Sequence, residues 1–445
     1  MEIEFEGIIT KVNSVKGLHI CSITNGKEGY DAVLKESVEA GAAVKIKGLM
    51  EERFGKTQIK AESVEVLSDG KKKEIEKKIS DSVELKDVEF LFKDEVTEKL
   101  KGKIIEIAKH LLVAKKLGRY ILLRFHGDAD GISGAMALTK FLKCYSMQQN
   151  SAVYSGKEAM KDLGLLNYQN RPIALFVDFG SNKESRMGLE FLKAAGIEIV
   201  MIDHHPYEKE DEPIADFFLN PWMLGDDEKL SDYTAGYLCA EVAKSAGVEE
   251  VREIAETAVA GDRSGILDVK ESSREAALVL DFMATYSSYG NNLDFYKNVL
   301  KKKELYDSML SQAKEKIREI SEGVKKSMKE RRIGDFSVYI LDLERMAGAY
   351  EFPSKGKVAN AVLDTIDKNK AIVMIGYGKR TIVLRLNSNA VEKGARGDIL
   401  IEKVKNSMNA FIWSGGGHAK AAALKVREGF TKDVAEQIAK ELELL

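Results

Sequence analysis

Three short stretches decide the fold: YILLRFHGDADG at residues 120–131, IALFVDFG at 173–180 and IEIVMIDHH at 197–205. Each begins with an apolar run of strand length and ends in ionisable residues. Helices are predicted near 132–146, 184–195 and 233–246. Strands that alternate with helices predict an α/β domain, with a parallel sheet covered by helices on both faces.

The carboxyl ends of parallel strands open at one edge of the sheet, where ligands gather. Acids and histidines follow the three strands and one later helix: His126, Asp128, Asp130, Asp178, Asp203, His204, His205 and Asp262. A single aspartate after a strand often caps the next helix. So many carboxylates together would repel one another unless cations were bound. The pattern therefore predicts divalent metal ions, with ligands of the type that manganese or magnesium accepts.

The composition excludes several classes of protein. The 445 residues include 68 Lys+Arg against 71 Asp+Glu, and 44 % are hydrophobic, so a polycationic or disordered chain is excluded. Cys21, Cys144 and Cys239 are far apart in the sequence, which argues against a zinc-thiolate site or a disulfide scaffold. No apolar run reaches the ~18–20 residues of a membrane helix, and the acidic start MEIEFEG does not resemble a signal peptide. We expect a soluble cytoplasmic protein of several domains.

The nearly neutral total charge hides an asymmetry. Residues 331–445 contain 19 basic and 14 acidic residues, whereas the rest of the chain contains 49 basic and 57 acidic residues. One end of the chain is therefore basic and the remainder acidic, which predicts that the two parts do different work.

The N-terminal segment is predicted to be a small barrel. Residues 1–68 contain five short period-two stretches separated by glycine and asparagine, a pattern that resembles an OB-fold. OB-folds often hold single-stranded nucleic acid in a basic, aromatic groove. This segment has 9 basic and 11 acidic residues and few aromatic ones. Weak strand binding and a protein-docking role therefore stay equally open.

The predicted organisation has five parts. They are an OB-like barrel at 1–68, a charged linker and helix at 69–118, the parallel-sheet domain at 119–299, a connecting helix at 300–333 and a smaller α/β domain at 334–445.

The ordered motifs resemble a known family. HGDADG, VDFG, DHH and a later GD look like the four motifs of the DHH phosphoesterase superfamily. SGGGHAKAAA at 414–423 resembles the glycine-rich motif of the DHH-associated C-terminal domain. The resemblance covers residues from about 120 to 445, and the N-terminal barrel makes the layout most similar to archaeal RecJ-like nucleases. The part at 119–299 would then be the catalytic domain, and 334–445 would bind substrate.

The resemblance implies a role for each residue. His126 and Asp128 would bind one metal ion, Asp130, His204 and Asp262 the second, and Asp178 would bridge both; His205 would face the scissile phosphate, and Asp203 would orient a neighbouring histidine. The ions would be two Mn²⁺, with Mg²⁺ as the alternative. Water would then attack phosphorus, and no protein nucleophile would be needed.

Substrate would be held by the C-terminal domain. The glycines Gly415, Gly416 and Gly417 would let backbone N–H groups approach a phosphate, and His418 would add a donor. A plain glycine turn before a helix is the alternative interpretation of this stretch. Arg385 matches the position of a phosphate-contacting arginine in the family, and Arg396 is a further candidate.

The expected activity is that of an exonuclease that degrades single-stranded DNA or RNA to mononucleotides, in DNA repair, replication or RNA turnover. The alternatives are a small-molecule DHH phosphoesterase, acting on short oligonucleotides, a cyclic dinucleotide or pyrophosphate, and a docking subunit that uses its barrel. No GxxxxGK[ST] motif supports an ATP-driven enzyme. The resemblance also implies a helicase or replication-protein partner. Cleavage polarity and the choice between DNA and RNA stay open.

Overall fold

The computed structural model describes residues 1–15, 17–53, 55–85, 89–207, 214–287, 293–347, 352–363, 366–367 and 369–444. Within these residues, no helix has both the length and the apolar character that crossing a membrane requires.

The N-terminal segment is a closed five-stranded barrel, as the sequence predicts. Its strands are β1 (Glu2–Val15), β2 (Leu18–Thr24), β3 (Gly29–Leu34), β4 (Ala43–Arg53) and β5 (Lys56–Val66). They follow the order β1-β2-β3-β5-β4, with β4 closing onto β1. Alternate residues point inward because successive strand side chains face opposite sides, and Ile9, Cys21 and Ile46 are fully buried in the barrel core.

The barrel is attached to the amino-terminal end of the neighbouring parallel sheet. Two helices follow it, α1 (Asp69–Asp81) and α2 (Glu95–Lys116). Ile8 of the barrel packs in one apolar cluster with Ile79 and Leu117. Arg171, which lies just before a sheet strand, pairs with Glu76 of α1. The barrel therefore lies at the opposite end of the sheet from the strand ends that carry the ionisable motifs.

The central sheet has five parallel strands. They are β6 (Ile121–His126), β7 (Tyr145–Gln149), β8 (Ile173–Val177), β9 (Glu198–Ile202) and β10 (Phe217–Leu219). Their order is β10-β9-β8-β6-β7, and every pair is parallel. The chain leaves β6 for β7 on one side and returns to β8 on the other, so the strand order reverses between β6 and β8. Such a switch point leaves a crevice at the carboxyl ends of the strands.

Helices cover both faces of this sheet. They are α3 (Ala129–Thr139), α4 (Gly156–Leu166), α5 (Arg186–Ala194), α6 (Ala235–Ser245), α7 (Arg252–Gly261), α8 (Glu271–Tyr286) and α9 (Leu293–Lys301). The helices α2, α3 and α6 share one apolar cluster with the sheet, while α4 and α5 pack on the other face.

The prediction of a helix near 132–146 is wrong in its second half. Helix α3 ends at Thr139, and residues 145–149 form the edge strand β7. Among the described residues, strand β7 pairs with β6 alone, and most of its side chains are half-buried. Its sequence YSMQQ is consequently polar and lacks the apolar run by which a buried strand is recognised.

The long helix α10 (Lys303–Ser327) leads to a six-stranded mixed sheet. The strands are β11 (Glu330–Ile333), β12 (Phe336–Asp342), β13 (Ile372–Tyr377), β14 (Thr381–Leu386), β15 (Ile412–His418) and β16 (Ala421–Val426), in the order β11-β12-β13-β14-β16-β15. The helices are α11 (Leu343–Ala347), α12 (Lys355–Leu363), α13 (Ser388–Glu392), α14 (Gly397–Ser407) and α15 (Thr431–Leu442). Helix α12 covers one face of the sheet, and α14 and α15 cover the other.

A buried carboxyl group in α6 makes the stability of this fold depend on pH. Glu241 is fully buried and accepts the Leu91 backbone N–H at 2.8 Å. Burial raises the pKa of Glu241 to about 7. The pKa of a glutamate in an unfolded chain is about 4.3. Between that pH and about pH 7, the folded state therefore binds more protons than the unfolded state. The free energy of unfolding therefore falls as the pH rises through this window.

We predict that Glu241→Gln removes this dependence, because glutamine keeps an acceptor for the Leu91 N–H and carries no charge. Between about pH 5 and about pH 8, the wild-type protein should lose roughly 2 kcal/mol more unfolding free energy than the variant. Urea unfolding at both pH values measures the difference. Glu190→Gln, in which an exposed partner of Arg186 is changed, is the matched control and should keep the wild-type slope. Equal slopes for wild type and Glu241→Gln would contradict the assignment.

Candidate metal centre

The ionisable motifs meet at the carboxyl edge of the central sheet, at the switch point. His126 ends β6, and Asp128 accepts the Gly131 N–H at 3.0 Å as the N-cap of α3. Asp178 follows β8, and its N–H donates to the Ile202 carbonyl of β9 at 2.9 Å. Asp203, His204 and His205 follow β9, and Asp262 caps the end of α7.

Glycine is required inside the first motif. A Cβ atom on Gly131 would lie 2.4 Å from the His126 carbonyl oxygen, which belongs to the backbone. Only glycine lets the first turn of α3 pack this closely against the end of β6. The tight turn brings Asp128 and Asp130 to the same edge.

Asp178 has an unusual backbone conformation. Its φ is +66°, in the left-handed region that non-glycine residues occupy at a cost of about 1–3 kcal/mol. Aspartate and asparagine tolerate this region better than most residues. The turn directs a buried carboxylate toward the histidines of both neighbouring strands.

The first group of ligand atoms comes from His126, Asp128 and Asp178. His126 Nδ1 lies 2.7 Å from Asp128 Oδ2 and 3.4 Å from Asp178 Oδ2. The group joins the ends of two adjacent strands, so the sheet itself fixes its spacing.

The second group comes from Asp130, His204 and Asp262. His204 Nε2 lies 3.1 Å from Asp262 Oδ2 and 3.9 Å from Asp130 Oδ2. It also lies 3.4 Å from Asp178 Oδ1, so the two oxygens of Asp178 face the two groups. Asp178 therefore occupies the position from which one carboxylate can contact two ions.

Asp130 is fixed by a helix terminus. The N–H groups of Ala235 and Gly236, at the start of α6, donate to its two oxygens at 2.9 Å each. Burial, together with Asp178 and Asp262, nevertheless raises the pKa of Asp130 well above its usual value. The helix N-terminus stabilises the negative charge but does not offset the neighbouring carboxylates.

Backbone and side-chain contacts determine which ring nitrogen of His204 and of His205 faces the metal site. His204 Nδ1 lies 2.8 Å from the Ser231 carbonyl, so it donates its proton there and leaves Nε2 as an acceptor. His205 Nδ1 lies 2.8 Å from Asp203 Oδ1. Asp203 is buried and also accepts the Ser181 N–H at 3.1 Å. Asp203 thus orients His205, whose ring is partly exposed to the cleft.

The donor set fits divalent cations. His126 Nδ1, Asp178 Oδ1 and His204 Nε2 are buried, and within the described residues their close contacts with one another and with Asp128 and Asp262 lack hydrogen-bond geometry. Buried polar atoms nearly always form hydrogen bonds, so three buried atoms without one require an explanation. Burial and Asp128 also raise the pKa of Asp178, which shows the accumulated negative charge. Carboxylate and imidazole ligands without a thiolate fit Mn²⁺ or Mg²⁺.

A large cleft lies in front of this centre. Its volume is about 1130 Å³, and the C-terminal domain forms its opposite wall. Charged or polar residues from that domain line it: Lys357, Asn360, Arg385, Arg396, His418 and Lys420. The structure thus brings Arg385, Arg396 and His418 to the cleft. Gly415, Gly416 and Gly417 are not among its lining residues and lie along strand β15.

The cations of the C-terminal wall are held in place and desolvated. Arg385 Nε donates to Asn360 Oδ1 at 3.0 Å, and burial, together with the nearby Arg263, lowers the pKa of Arg385 to about 10. Arg396 pairs with Asp398 at 2.7 Å. Burial and Arg385 lower the pKa of His418 to about 4, so this histidine is neutral at pH 7. The wall therefore offers fixed arginines and a neutral imidazole to an anion.

Sequence reasoning missed two residues, Lys357 and Asp281. Lys357 of α12 forms an ion pair with Asp281 of α8, across the two domains. The other oxygen of Asp281 accepts the Ala129 N–H at 2.9 Å, between Asp128 and Asp130. One carboxylate therefore connects the metal-binding turn to the C-terminal domain. Neither residue stands in a motif, and only the approach of the two domains reveals the link.

Comparisons with known proteins give a consistent result. Residues 120–264 match the family model described as DHH family, N-terminal domain. An uncharacterised protein of Methanocaldococcus jannaschii is 26 % identical in an alignment of 515 positions, gaps included, that covers 97 % of this chain and 67 % of that protein. The DHH domain of a protein described as a member of the s1p family of ribosomal proteins has 25 % identity and a TM-score of 0.74; the match covers 84 % of this chain and 98 % of that one.

Two RecJ structures share the fold at low identity. RecJ from Thermus thermophilus in complex with Mn²⁺ has 14 % identity and a TM-score of 0.54, covering 77 % of this chain and 55 % of that one. Exonuclease RecJ bound to manganese has 14 % identity and a TM-score of 0.51, covering 77 % and 95 %. At this identity the likeness concerns the fold alone.

We predict that Asp178→Asn abolishes metal binding while the protein stays folded. Asparagine tolerates the positive φ and removes one charge from the crowded site. Mn²⁺ should raise the melting temperature of the wild-type protein and leave that of the variant unchanged. Without metal, the variant should melt at the same temperature as wild type or higher. Asp294→Asn, an exposed change in α9, should keep the full response to Mn²⁺. An undiminished Mn²⁺ response in Asp178→Asn would rule out the shared ligand.

Proposed function

Because the chain has a DHH-superfamily, RecJ-like fold, we propose that it is a metal-dependent exonuclease that degrades single-stranded DNA or RNA to mononucleotides. The observation that carries the proposal is the cleft. One wall carries the clustered acids and histidines that could hold cations. Lysine and arginine side chains line the cleft around them, most of them on the C-terminal wall and Arg263 beside Asp262. A phosphodiester is the anionic group that such a pair of walls would bind.

Separate residues of the chain would bind the metal ions, donate a proton and position the phosphate. His126, Asp128, Asp130, Asp178, His204 and Asp262 would hold two divalent ions. Such ions supply Lewis-acid activation of water and neutralise charge on phosphoryl oxygens. His205, oriented by Asp203, would donate to the scissile phosphate or the leaving oxygen. Arg385 and His418 would position the phosphate from the opposite wall. We propose Mn²⁺ as the preferred ion.

A polymeric substrate is supported by the size of the cleft. Its volume of about 1130 Å³ exceeds the roughly 300–1,000 Å³ of ordinary small-molecule pockets. The N-terminal barrel is attached at the other end of the sheet, beside Leu117 and Arg171. We therefore propose that the barrel acts on long strands or on a protein partner, such as a helicase or replication protein, and takes no part in bond cleavage.

The proposal is tested with labelled substrates. Single-stranded DNA and RNA, each labelled at the 5′ or the 3′ end, and a cyclic dinucleotide are incubated with the protein and Mn²⁺, with and without EDTA. We expect stepwise shortening of at least one single strand, and no reaction with EDTA or with Asp178→Asn. The label that is released first reveals the polarity. Cleavage of the dinucleotide without degradation of any single strand would favour the small-molecule phosphoesterase instead.

We predict that Lys357→Ala lowers kcat/KM on single strands roughly 100-fold, the scale of losing one preorganised charged donor. Burial lowers the pKa of Lys357 to about 8, so most of the side chain is charged at pH 7. Lys357→Arg should keep most of the activity because it keeps the charge. Lys355→Ala is the matched control, since Lys355 lies on the same helix and pairs with Glu344 at 3.0 Å. Equal losses in Lys357→Ala and Lys355→Ala would exclude a specific role for Lys357.

A further inference from the structure

A second, smaller cavity of about 300 Å³ lies between the two domains. Ser414 and Lys425 of the β15–β16 hairpin form one wall. Residues between β7 and the first turn of α4 form most of the other wall: Ser151, Val153, Ser155 and Glu158, with Glu184 beside them. We propose that this cavity is a subsite for a nucleoside of the single strand, one or more nucleotides away from the scissile phosphate. The proposal rests on the proposed function.

The register of the hairpin connects the two cavities. Ser414 pairs with Lys425, Gly416 with Ala423, and His418 with Ala421. Alternate residues of a strand share a face. At one end of this face, Ser414 and Lys425 line the second cavity. At the other end, His418 and Ala421 line the metal-site cleft. The two cavities therefore lie along one face of the same hairpin.

The middle of this face carries no large side chain. Gly416 is exposed, and a Cβ atom there would meet no heavy atom within 4 Å. Ala423, its partner, is half-buried against the apolar cluster of α12 and adds only a methyl group, so the open part of this face is at Gly416. From Ser414 to His418 the strand spans about 13 Å, more than a single nucleotide covers. A nucleotide chain that leaves the metal-site cleft thus has an open path over backbone to the second cavity.

The chemistry of the second cavity suits a sugar and base better than a phosphate. Glu158 is fixed by a reciprocal capping box with Ser155 and accepts from Gln149 Nε2 at 2.9 Å. Ser151 Oγ accepts a hydrogen bond from the Val153 N–H at 3.2 Å. Carboxylate and hydroxyl oxygens match ribose hydroxyls and base amino groups. Lys425 is the cation at this end and would face the connecting phosphate.

The test compares substrates of two lengths. Ser414→Tyr fills the cavity, and Lys425→Glu reverses its charge; Lys432→Glu in α15, on the other face of the sheet, is the control. We expect the first two variants to raise KM for a single-stranded hexanucleotide roughly tenfold with kcat unchanged, and to change kcat/KM for a dinucleotide less than twofold. Equal losses on both substrates, or no change on the hexanucleotide, would overturn the subsite.

A binding measurement separates this proposal from the proposed function. Anisotropy of a fluorescent hexanucleotide is recorded in EDTA, where no cleavage occurs. Weaker binding to Ser414→Tyr than to wild type and Lys432→Glu supports the subsite even if the protein cleaves no strand, an outcome that would refute only the exonuclease activity. Equal affinity of all three proteins, or no binding by wild type, refutes the subsite.

Discussion

The carboxylate of Asp178 lies between His126 and His204, and the geometry of the site depends on it. It stands at the end of the central strand β8, with β6 on one side and β9 on the other. Its two oxygens face two groups of ligands at 3.4 Å. Burial makes this charge costly, and the positive φ adds strain. A buried, strained acid surrounded by further acids is stable only where cations offset the charge, so the same contacts that disfavour the metal-free site favour metal binding.

The second constraint is that the metal-binding turn is connected to the C-terminal domain. Asp281 accepts the Ala129 N–H with one oxygen and pairs with Lys357 through the carboxyl group's other oxygen. Any movement of the C-terminal domain would therefore change the environment of Asp128 and Asp130. Lys357, Arg385, Arg396 and Lys420, four of the cations that line the cleft, come from this domain, in agreement with its excess of basic residues. Asp281 is thus a direct physical connection between the C-terminal wall of the cleft and the metal-binding turn.

Much of the fold could be predicted because the apolar strands β6, β8 and β9 are buried on both faces and each ends in an ionisable motif. The edge strand β7 escaped prediction, since a strand with one neighbour needs no continuous apolar run. The glycine-rich β15 also differs from an ordinary strand pattern, and only its pairing with β16 identifies it. Lys357 and Asp281 illustrate the limit for the site. They are far apart in sequence, stand in no motif and gain meaning only when the two domains pack together.

The position of the barrel changes how the net charge is interpreted. A chain that is nearly neutral overall has no general excess of positive charge with which to attract nucleic acid. However, the acidic excess includes the carboxylates of the metal site, whose charge bound cations would cancel, and basic side chains line the same cleft. The barrel contributes no charge to the cleft because it packs at the other end of the sheet, against Leu117. Electrostatic attraction of an anion to the cleft therefore requires no basic surface elsewhere on the chain.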